Sequence, residues 1–175
     1  PSERREFAHA MLMDVLDCLD GMDVLVVSTS PVSAGRAEVE VDQRDLTSAI
    51  NSRIDGECMV IMSDLPLLTK SEIERMLSIE SELVLAPGRR GGTNAIVIRT
   101  KKFKTDYRGA SILNHIEMAM KEGILPSIYE SFRTFCDMDE PQDLVDLMVY
   151  GDGAAREYLE SHGIELKGCS ICRRR

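Results

Sequence analysis

The chain has 175 residues, of which 43% are hydrophobic and 29% charged, and its formal net charge is −9. This length and composition suit one soluble domain over residues 1–175, because no apolar run reaches the roughly 18 to 20 residues of a membrane span. The acidic balance excludes broad nucleic-acid binding, and five cysteines without a secretory signal segment favour a reducing cytoplasm over a disulfide framework.

The first half of the sequence alternates between helical and extended patterns. Apolar residues recur at helical spacing from Phe7 to Leu19, with Ser2 placed as the helix cap and Gly21 as its end. The segments that follow predict strands at 23–29 and 37–42, a helix at 43–54, a strand at 58–64 and a helix at 65–78 that Thr69 can cap.

The second half continues this alternation. Predicted strands at 81–88 and 93–100 flank the loop APGRRGGTNA, residues 86–95, which is either a hairpin turn or an anion-binding loop. A helix at 109–123, a strand at 127–139, a helix at 140–153 with Pro141 in its first turn, a helix at 154–161 and a polar tail at 163–175 follow. The pattern predicts an α/β sheet covered by helices on both faces.

Carboxylates follow two of the predicted strands at the points where they end. Asp64 comes directly after the apolar run 59–63, and Asp137 and Asp139 end the predicted strand 127–139. Ligands of open α/β sheets bind beyond such strand ends, and three carboxylates there would suit Mg²⁺ and phosphate chemistry. The alternative is that these residues only cap a turn and a helix.

Other candidate groups are weaker. Cys169 and Cys172 have the spacing of half a zinc site or a redox pair, but only His162 could add a ligand, so an exposed tail is favoured. His115 lies among apolar residues of its helix and is interpreted as structural, with ligand contact near Ser111 as the alternative. No serine or cysteine is paired with a base, which sets covalent catalysis aside.

Four motifs together resemble one protein family. MSDLPLL, PGRRGGTNAIVI, YRGASILNH and DMDEPQDLV, in this order and at these separations, are similar to the 2-phospho-L-lactate guanylyltransferases of deazaflavin coenzyme F-420 biosynthesis. The resemblance extends from Pro1 to about Leu159. It implies a Rossmann-like three-layer sandwich of the glycosyltransferase-A-type nucleotidyltransferase kind, with a mostly parallel sheet, in an archaeal-type cytoplasmic enzyme.

The resemblance also implies a reaction and a set of site residues. The phosphate of 2-phospholactate, or of a close acid such as phosphoenolpyruvate, would attack GTP and release pyrophosphate with Mg²⁺ as cofactor. Asp64 would be the catalytic residue and would hold the metal with Asp137 and Asp139. Thr93, Gly109 and Ser111 match the positions that hold the phosphorylated acid. We add the loop residues Gly91, Gly92 and Asn94, and Arg89 and Arg90 could add positive charge there.

The chain departs from the family at one point. The family begins with a strand and a basic loop that cradles the nucleotide, whereas residues 1–7 already resemble the segment after that loop, so we expect this part to be missing from the 175 residues. The alternatives are a nucleotidyltransferase of the same fold with a molybdopterin-type or sugar or alcohol phosphate acceptor, and a non-catalytic ligand-binding remnant. A homodimer is compatible with the pattern but not demonstrated by it.

Overall fold

The computed structural model describes residues 2–168 and 170–173, which form seven α-helices and eight strands. In chain order these are α1 (Ser2–Cys18), β1 (Leu25–Ser28), β2 (Glu38–Val41), α2 (Leu46–Asn51), β3 (Cys58–Ile61), α3 (Lys70–Ser78), β4 (Leu83–Pro87), a 3₁₀ turn (Arg89–Gly91), β5 (Thr93–Ile98), α4 (Ser111–Lys121), β6 (Ser127–Ile128), α5 (Phe132–Phe135), α6 (Asp143–Tyr150), α7 (Ala154–Ser161), β7 (Ile164–Lys167) and β8 (Ser170–Arg173). None of the described helices is long and apolar enough to cross a membrane.

The central sheet has four strands in the order β3-β5-β4-β6. β5 runs antiparallel to both β3 and β4, β6 is parallel to β4, and β1 and β2 form a separate parallel pair. The predicted α/β class is confirmed, but the central sheet is mixed and not mostly parallel. The reason is the short connection between β4 and β5, since parallel neighbours need a crossover of a dozen or more residues.

Helices cover the central sheet on both faces, as predicted. Leu83 and Leu85 of β4 pack with Ile50 of α2 and Ala119 of α4, whereas Val84 between them packs with the other face. On that second face Met76 of α3 contacts the sheet. Successive residues of a strand point to opposite faces, so a continuous apolar run, as in β4 and in residues 95–98 of β5, must be buried on both faces.

A second core joins the two ends of the chain, and here the predicted polar tail is wrong. Within residues 163–175, β7 and β8 form an antiparallel hairpin, and Ile164, Leu166 and Ile171 pack against the cluster of α1, α6 and α7. The alternation of apolar and polar residues is the strand signal that the tail's composition hid. Cys169, predicted to lie in this tail, is outside the described residues, and the Cys172 thiol donates to the Glu165 carbonyl.

The predicted strand at 127–139 is also wrong for most of its length. Only Ser127–Ile128 pairs with β4, and the chain then enters the short helix α5. Ser131 ends the extended segment, because its side chain accepts a hydrogen bond from the Arg133 amide as a helix cap does.

Three predicted helix starts differ in detail. α1 already includes Ser2, the Thr69 side chain makes no capping bond to α3, and Pro141 lies two residues ahead of α6.

An apolar cleft separates β1 from β3. Among the described residues β1 pairs with β2 alone and β3 pairs with β5 alone, so one edge of each strand has no strand beside it. Both strands line a cleft of about 580 Å³, to which α1 contributes Leu12, Val15 and Leu16 and α2 contributes Ile50. The two sheets are therefore not joined into one.

Candidate functional site

The loop between β4 and β5 is a hairpin turn, which confirms the first of the two interpretations of its sequence, a turn or an anion-binding loop. The Gly88 amide donates to the Gly92 carbonyl at 2.9 Å, and the Gly92 amide donates to Arg89 at 3.2 Å. Arg90 and Gly91 both have left-handed backbone, with φ of 59° and 80°. For Gly91 this costs little, whereas Arg90 carries a side chain that disfavours the conformation.

Asn94 fastens this hairpin to α5 and does not face open space. Its side-chain amide donates to the Thr134 carbonyl at 2.9 Å, and the residue is buried. A Cβ added to Gly88 would lie 2.2 Å from the Asn94 side-chain oxygen, so the backbone at Gly88 rests directly on that side chain. Asn94, predicted to bind substrate, therefore uses its side-chain amide in a contact within the protein.

Two buried hydroxyls and an imidazole meet beside the hairpin. The Ser111 hydroxyl donates to Thr93 Oγ1 at 3.0 Å, and His115 Nδ1 lies 3.0 Å from the same oxygen. Ser111 and His115 are four residues apart on α4 and so share a helix face. Gly109 precedes them with φ of 57°, and its carbonyl accepts from the Ser111 amide.

His115 is neutral at physiological pH. Its ring is fully buried and packs edge-on against Tyr107, with ring centroids 5.0 Å apart. Burial disfavours the charged imidazolium and lowers the pKa of His115 to about 4, although the Asp106 carboxylate acts in the opposite direction.

Asp64 and Asp137 form a second cluster. The Met138 amide donates to the Asp64 carbonyl at 3.1 Å, which ties the loop after β3 to the loop after α5. Oδ1 of Asp64 and Oδ1 of Asp137 are each buried without a hydrogen-bond partner. Burial raises the pKa of both carboxyls, and the negative charges of Asp137 and Asp139 raise that of Asp64 further. Such unpaired buried oxygens are costly in the absence of a cation.

The third predicted carboxylate faces an arginine. Asp139 lies 3.3 Å from Arg90, which also lies 3.4 Å from Asp143 and 3.6 Å from Glu140. Accordingly, no group of three or more His, Cys, Asp or Glu side chains within residues 2–168 and 170–173 is arranged to hold a metal ion. The structure brings Asp64 and Asp137 together, whereas Arg90 engages Asp139 through an ion pair.

The arginines of the hairpin are engaged with α6. Arg89 forms ion pairs with Asp143 and Asp146, and its guanidinium also donates to the Cys136 thiol at 3.1 Å. Asp143 in turn accepts the backbone amides of Asp139 and Glu140 at 3.1 and 2.9 Å. These contacts stabilise the start of α6, which is a structural role that the sequence pattern did not indicate.

The hairpin lies between the two clusters. Its Arg89 amide interacts with the Asp137 carboxylate and lowers its pKa, against the larger effect of burial. On its other side, a Cβ added to Gly91 would touch Ala110, the residue before α4, at 3.4 Å. One loop therefore joins a hydroxyl-lined site at the start of α4 to a carboxylate site at the end of β3, an arrangement that can hold an anion beside a cation.

The fold resembles that of two solved structures. It superimposes on a crystal structure assigned as a nucleotide-diphospho-sugar transferase from Desulfovibrio desulfuricans with a TM-score of 0.76 at 12% identity, covering 92% of this chain and 84% of that one. A transferase structure from Thermus thermophilus matches with a TM-score of 0.55 at 16% identity, covering 77% and 85%. The fold is thus of the nucleotidyltransferase-type α/β class.

Sequence comparison gives the family. The chain belongs to the guanylyl transferase CofC-like family, whose model matches residues 1–175. It is 44% identical to the 2-phospho-L-lactate guanylyltransferase of Archaeoglobus profundus, over 95% of this chain and 82% of that protein. It is 42% identical to the enzyme of the same name from Haloarcula marismortui, over 95% and 84%. The family resemblance read from the four motifs is confirmed.

Sequence reasoning understated one residue of the site. The sequence predicts a structural role for His115, with ligand contact near Ser111 as the alternative, and the structure places its Nδ1 3.0 Å from Thr93 Oγ1. The signal that could have found it is the spacing of four between Ser111 and His115, which puts a titratable side chain on the same helix face as a predicted substrate-binding hydroxyl.

Proposed function

We propose that the protein is a guanylyltransferase that joins the GMP moiety of GTP to 2-phospho-L-lactate and releases pyrophosphate, in deazaflavin coenzyme F-420 biosynthesis. One observation carries the proposal: relatives more than 40% identical, of which the chain covers more than four fifths, bear that name. A phosphate oxygen of the acid attacks the α-phosphorus of GTP, the new P–O–P bond forms, and the bond from the α-phosphorus to the pyrophosphate oxygen breaks.

The acceptor acid is proposed to bind at Thr93, Ser111 and the neighbouring glycine backbone. Two observations support this: the hydroxyls are buried beside the N-terminus of the eleven-residue helix α4, and Gly91 and Gly109 adopt left-handed backbone there. Helix N-termini favour anions, and glycines let an anion approach the backbone amides of Gly91, Gly92 and Gly109 closely. Reaction requires this acid to be positioned and its charge balanced, not activated by a covalent enzyme intermediate.

Asp64 and Asp137 are proposed to hold Mg²⁺. Their buried, unpartnered Oδ1 atoms fit a hard cation that prefers oxygen ligands, and Asp139 would join them once separated from Arg90. The bound cation would neutralise charge on the phosphate oxygens of GTP. Asp64, in the loop after β3, would help to hold the cation and is the proposed catalytic residue.

The nucleotide side is proposed to include one more strand. The cleft between β1 and β3 presents an open strand edge on each side and an apolar lining, which suits an extended segment hydrogen-bonded to both. We assign this place to the nucleotide-binding strand expected from the family resemblance. The reading frame ahead of residue 1 in the gene is the check: an apolar strand followed by a basic loop supports the assignment, and unrelated sequence contradicts it.

The reaction is tested with the full gene product, GTP and Mg²⁺. We expect pyrophosphate to appear with 2-phospho-L-lactate or phosphoenolpyruvate and not with a sugar phosphate. Release with the sugar phosphate alone would reassign the acceptor, and no release with any acceptor, together with retained acid binding, would indicate a ligand-binding remnant. Cytoplasmic location and a homodimer stay predictions.

A further inference from the structure

The contacts around His115 fix which ring nitrogen carries the proton. The backbone amide of Asp106 lies 2.9 Å from His115 Nε2, and a backbone N–H can only donate. Nε2 must therefore be an acceptor without a hydrogen. A neutral imidazole then carries its hydrogen on Nδ1, which lies 3.0 Å from Thr93 Oγ1 and donates to it.

This arrangement determines what the Thr93 hydroxyl can offer. Its oxygen already accepts from the Ser111 hydroxyl and from His115, which together occupy both of its lone pairs. Its own hydrogen remains, and the Thr93 oxygen cannot accept a further bond. Thr93 is thereby restricted to donating towards whatever binds beside it.

We propose that His115 is a positioning residue that, through this network, fixes Thr93 as a donor towards an ionised oxygen of the acceptor acid. This rests on the proposed function for the identity of the acid, but the proton arrangement does not. The chemical consequence is selection: an ionised phosphate or carboxylate oxygen accepts from Thr93, whereas a ligand group that needs an acceptor there finds none.

The surroundings keep the ring in this state. Burial holds the pKa of His115 far below neutrality. Tyr107 and Phe103 pack against the ring edge-on, and the Asp106 carboxylate is engaged by Arg108 at 2.7 Å. The other neutral tautomer, with its hydrogen on Nε2, would place an N–H against the Asp106 amide and leave both of these hydrogens without an acceptor, which is costly in a buried site.

Two variants of His115 separate positioning from packing. An asparagine can place an N–H near the former Nδ1, whereas a glutamine reaches the former Nε2 position and loses the donor towards Thr93. Both lose the aromatic contacts with Tyr107 and Phe103. We expect His115→Gln to raise the KM for the phosphorylated acid about tenfold or more. His115→Asn should raise this KM clearly less, and the KM for GTP should change little in either variant. His162→Gln, at the C-terminal end of α7 where the ring stacks on Tyr158, is the control.

A second measurement does not depend on turnover. Nitrogen-15 NMR of the histidine rings in the wild-type protein should show one ring protonated at Nδ1 from pH 5.5 to 8, assigned by its loss in His115→Asn. The dissociation constants for phosphoenolpyruvate, measured by calorimetric titration, should rank the variants in the same order as their KM values.

The outcomes distinguish the proposals. Equal losses of acid affinity in both His115 variants, or a ring protonated at Nε2, would overturn the positioning role. A protein that binds the acid with the expected variant order but releases no pyrophosphate from GTP would support the positioning role and contradict the proposed function.

Discussion

At the scale of single residues, the carboxylates after β3 and α5 combine burial with unmet hydrogen bonding. An amino-acid side chain that costs stability without a partner is retained most readily where a ligand supplies that partner. Asp64 and Asp137 fit this description, because the buried oxygen of each lacks a donor among the described residues.

Replacement of Asp64 tests that interpretation directly. Asp64→Asn should lower turnover about a hundredfold or more, because a charged ligand of the proposed cation is lost, while the fold stays as stable as before or gains stability on removal of a buried charge. Initial-rate assays and urea unfolding measure the two effects. Asp55→Asn, at an exposed aspartate paired with Lys101, is the matched control and should change neither. Full activity in the Asp64 variant would remove it from the site.

His115 predicts a pH dependence of stability. Its pKa is about 4 in the folded protein against 6.5 when unperturbed, so between these values the unfolded chain binds a proton that the folded chain does not. The free energy of unfolding should therefore fall as pH drops from about 6.5 to 4, by up to about 3 kcal/mol, and be fully present above that window.

The variant without a titrating ring isolates this contribution. Asp64 and Asp137, whose pKa values are raised by burial, act in the opposite sense and are common to both proteins. The difference in unfolding free energy between wild type and His115→Asn should shrink on acidification. A constant difference from pH 8 to 4 would contradict the buried, neutral ring.

At the scale of elements, one aspartate links the first helix to the last. Asp14 of α1 is buried, and its two carboxylate oxygens accept the backbone amides of Ala154 and Ala155 at 2.5 and 3.0 Å. Gly153, the cap of α7, has no side chain for this purpose, so α1 supplies the cap from across the core. A Cβ at Gly153 would lie 2.2 Å from Asp14, which explains the glycine.

Removal of that cap should weaken the packing of both ends of the chain. Asp14→Ala leaves two amides of α7 without an acceptor and should cost about 1–2 kcal/mol of unfolding free energy. Asp17→Ala, on the same helix but exposed, shares the change in helix propensity and should cost little. Urea unfolding of the pair gives the comparison, and equal stability of the two variants would contradict the cap.

The terminal hairpin offers a test of the corrected tail. Ile171 of β8 packs against the cluster of α1, α6 and α7, so Ile171→Ala should lower the unfolding free energy by about 1–2 kcal/mol. A free polar tail would show no such loss. Ser170→Ala, exposed on the same strand, is the control, and thermal unfolding measured by circular dichroism compares the two.

These elements also show how far the sequence alone predicts the fold. Continuous apolar runs identified β4 and β5 correctly, and the glycines between them indicated the hairpin, because both signals are local. Ser131 caps a short helix where the aromatic alternation predicted a strand, and the polar and basic composition of the last residues hid the alternation that forms β7 and β8. In both cases two local signals compete, and periodicity alone does not decide between them.

The candidate site divides in the same way. The positions of Thr93, Ser111, Asp64 and Asp137 follow from motifs at element ends. The engagement of Asp139 by Arg90 does not, since it depends on a left-handed backbone at Arg90 and on the placement of α6. Residue type and spacing located the groups, and tertiary contacts decided which of them are free to meet a ligand.

At the scale of the whole molecule, two cores are joined through α1 and the loop after β3. Val15 of α1 packs with Leu65, Leu68 and Ile73, which follow Asp64 in the chain. The carboxylate loop is thus supported from below by the same helix that borders the cleft between β1 and β3. A segment that fills the cleft would therefore contact the same helix, α1, that packs beneath the loop carrying Asp64.

The cleft between β1 and β3 offers two free strand edges to an added strand. A short apolar strand added in trans could pair with the free edges of β1 and β3, in the manner of peptides that extend a sheet. Turnover would then vary with the concentration of the added peptide. Unfilled, the same edges favour self-association, so the isolated chain should sediment as larger species at higher concentration.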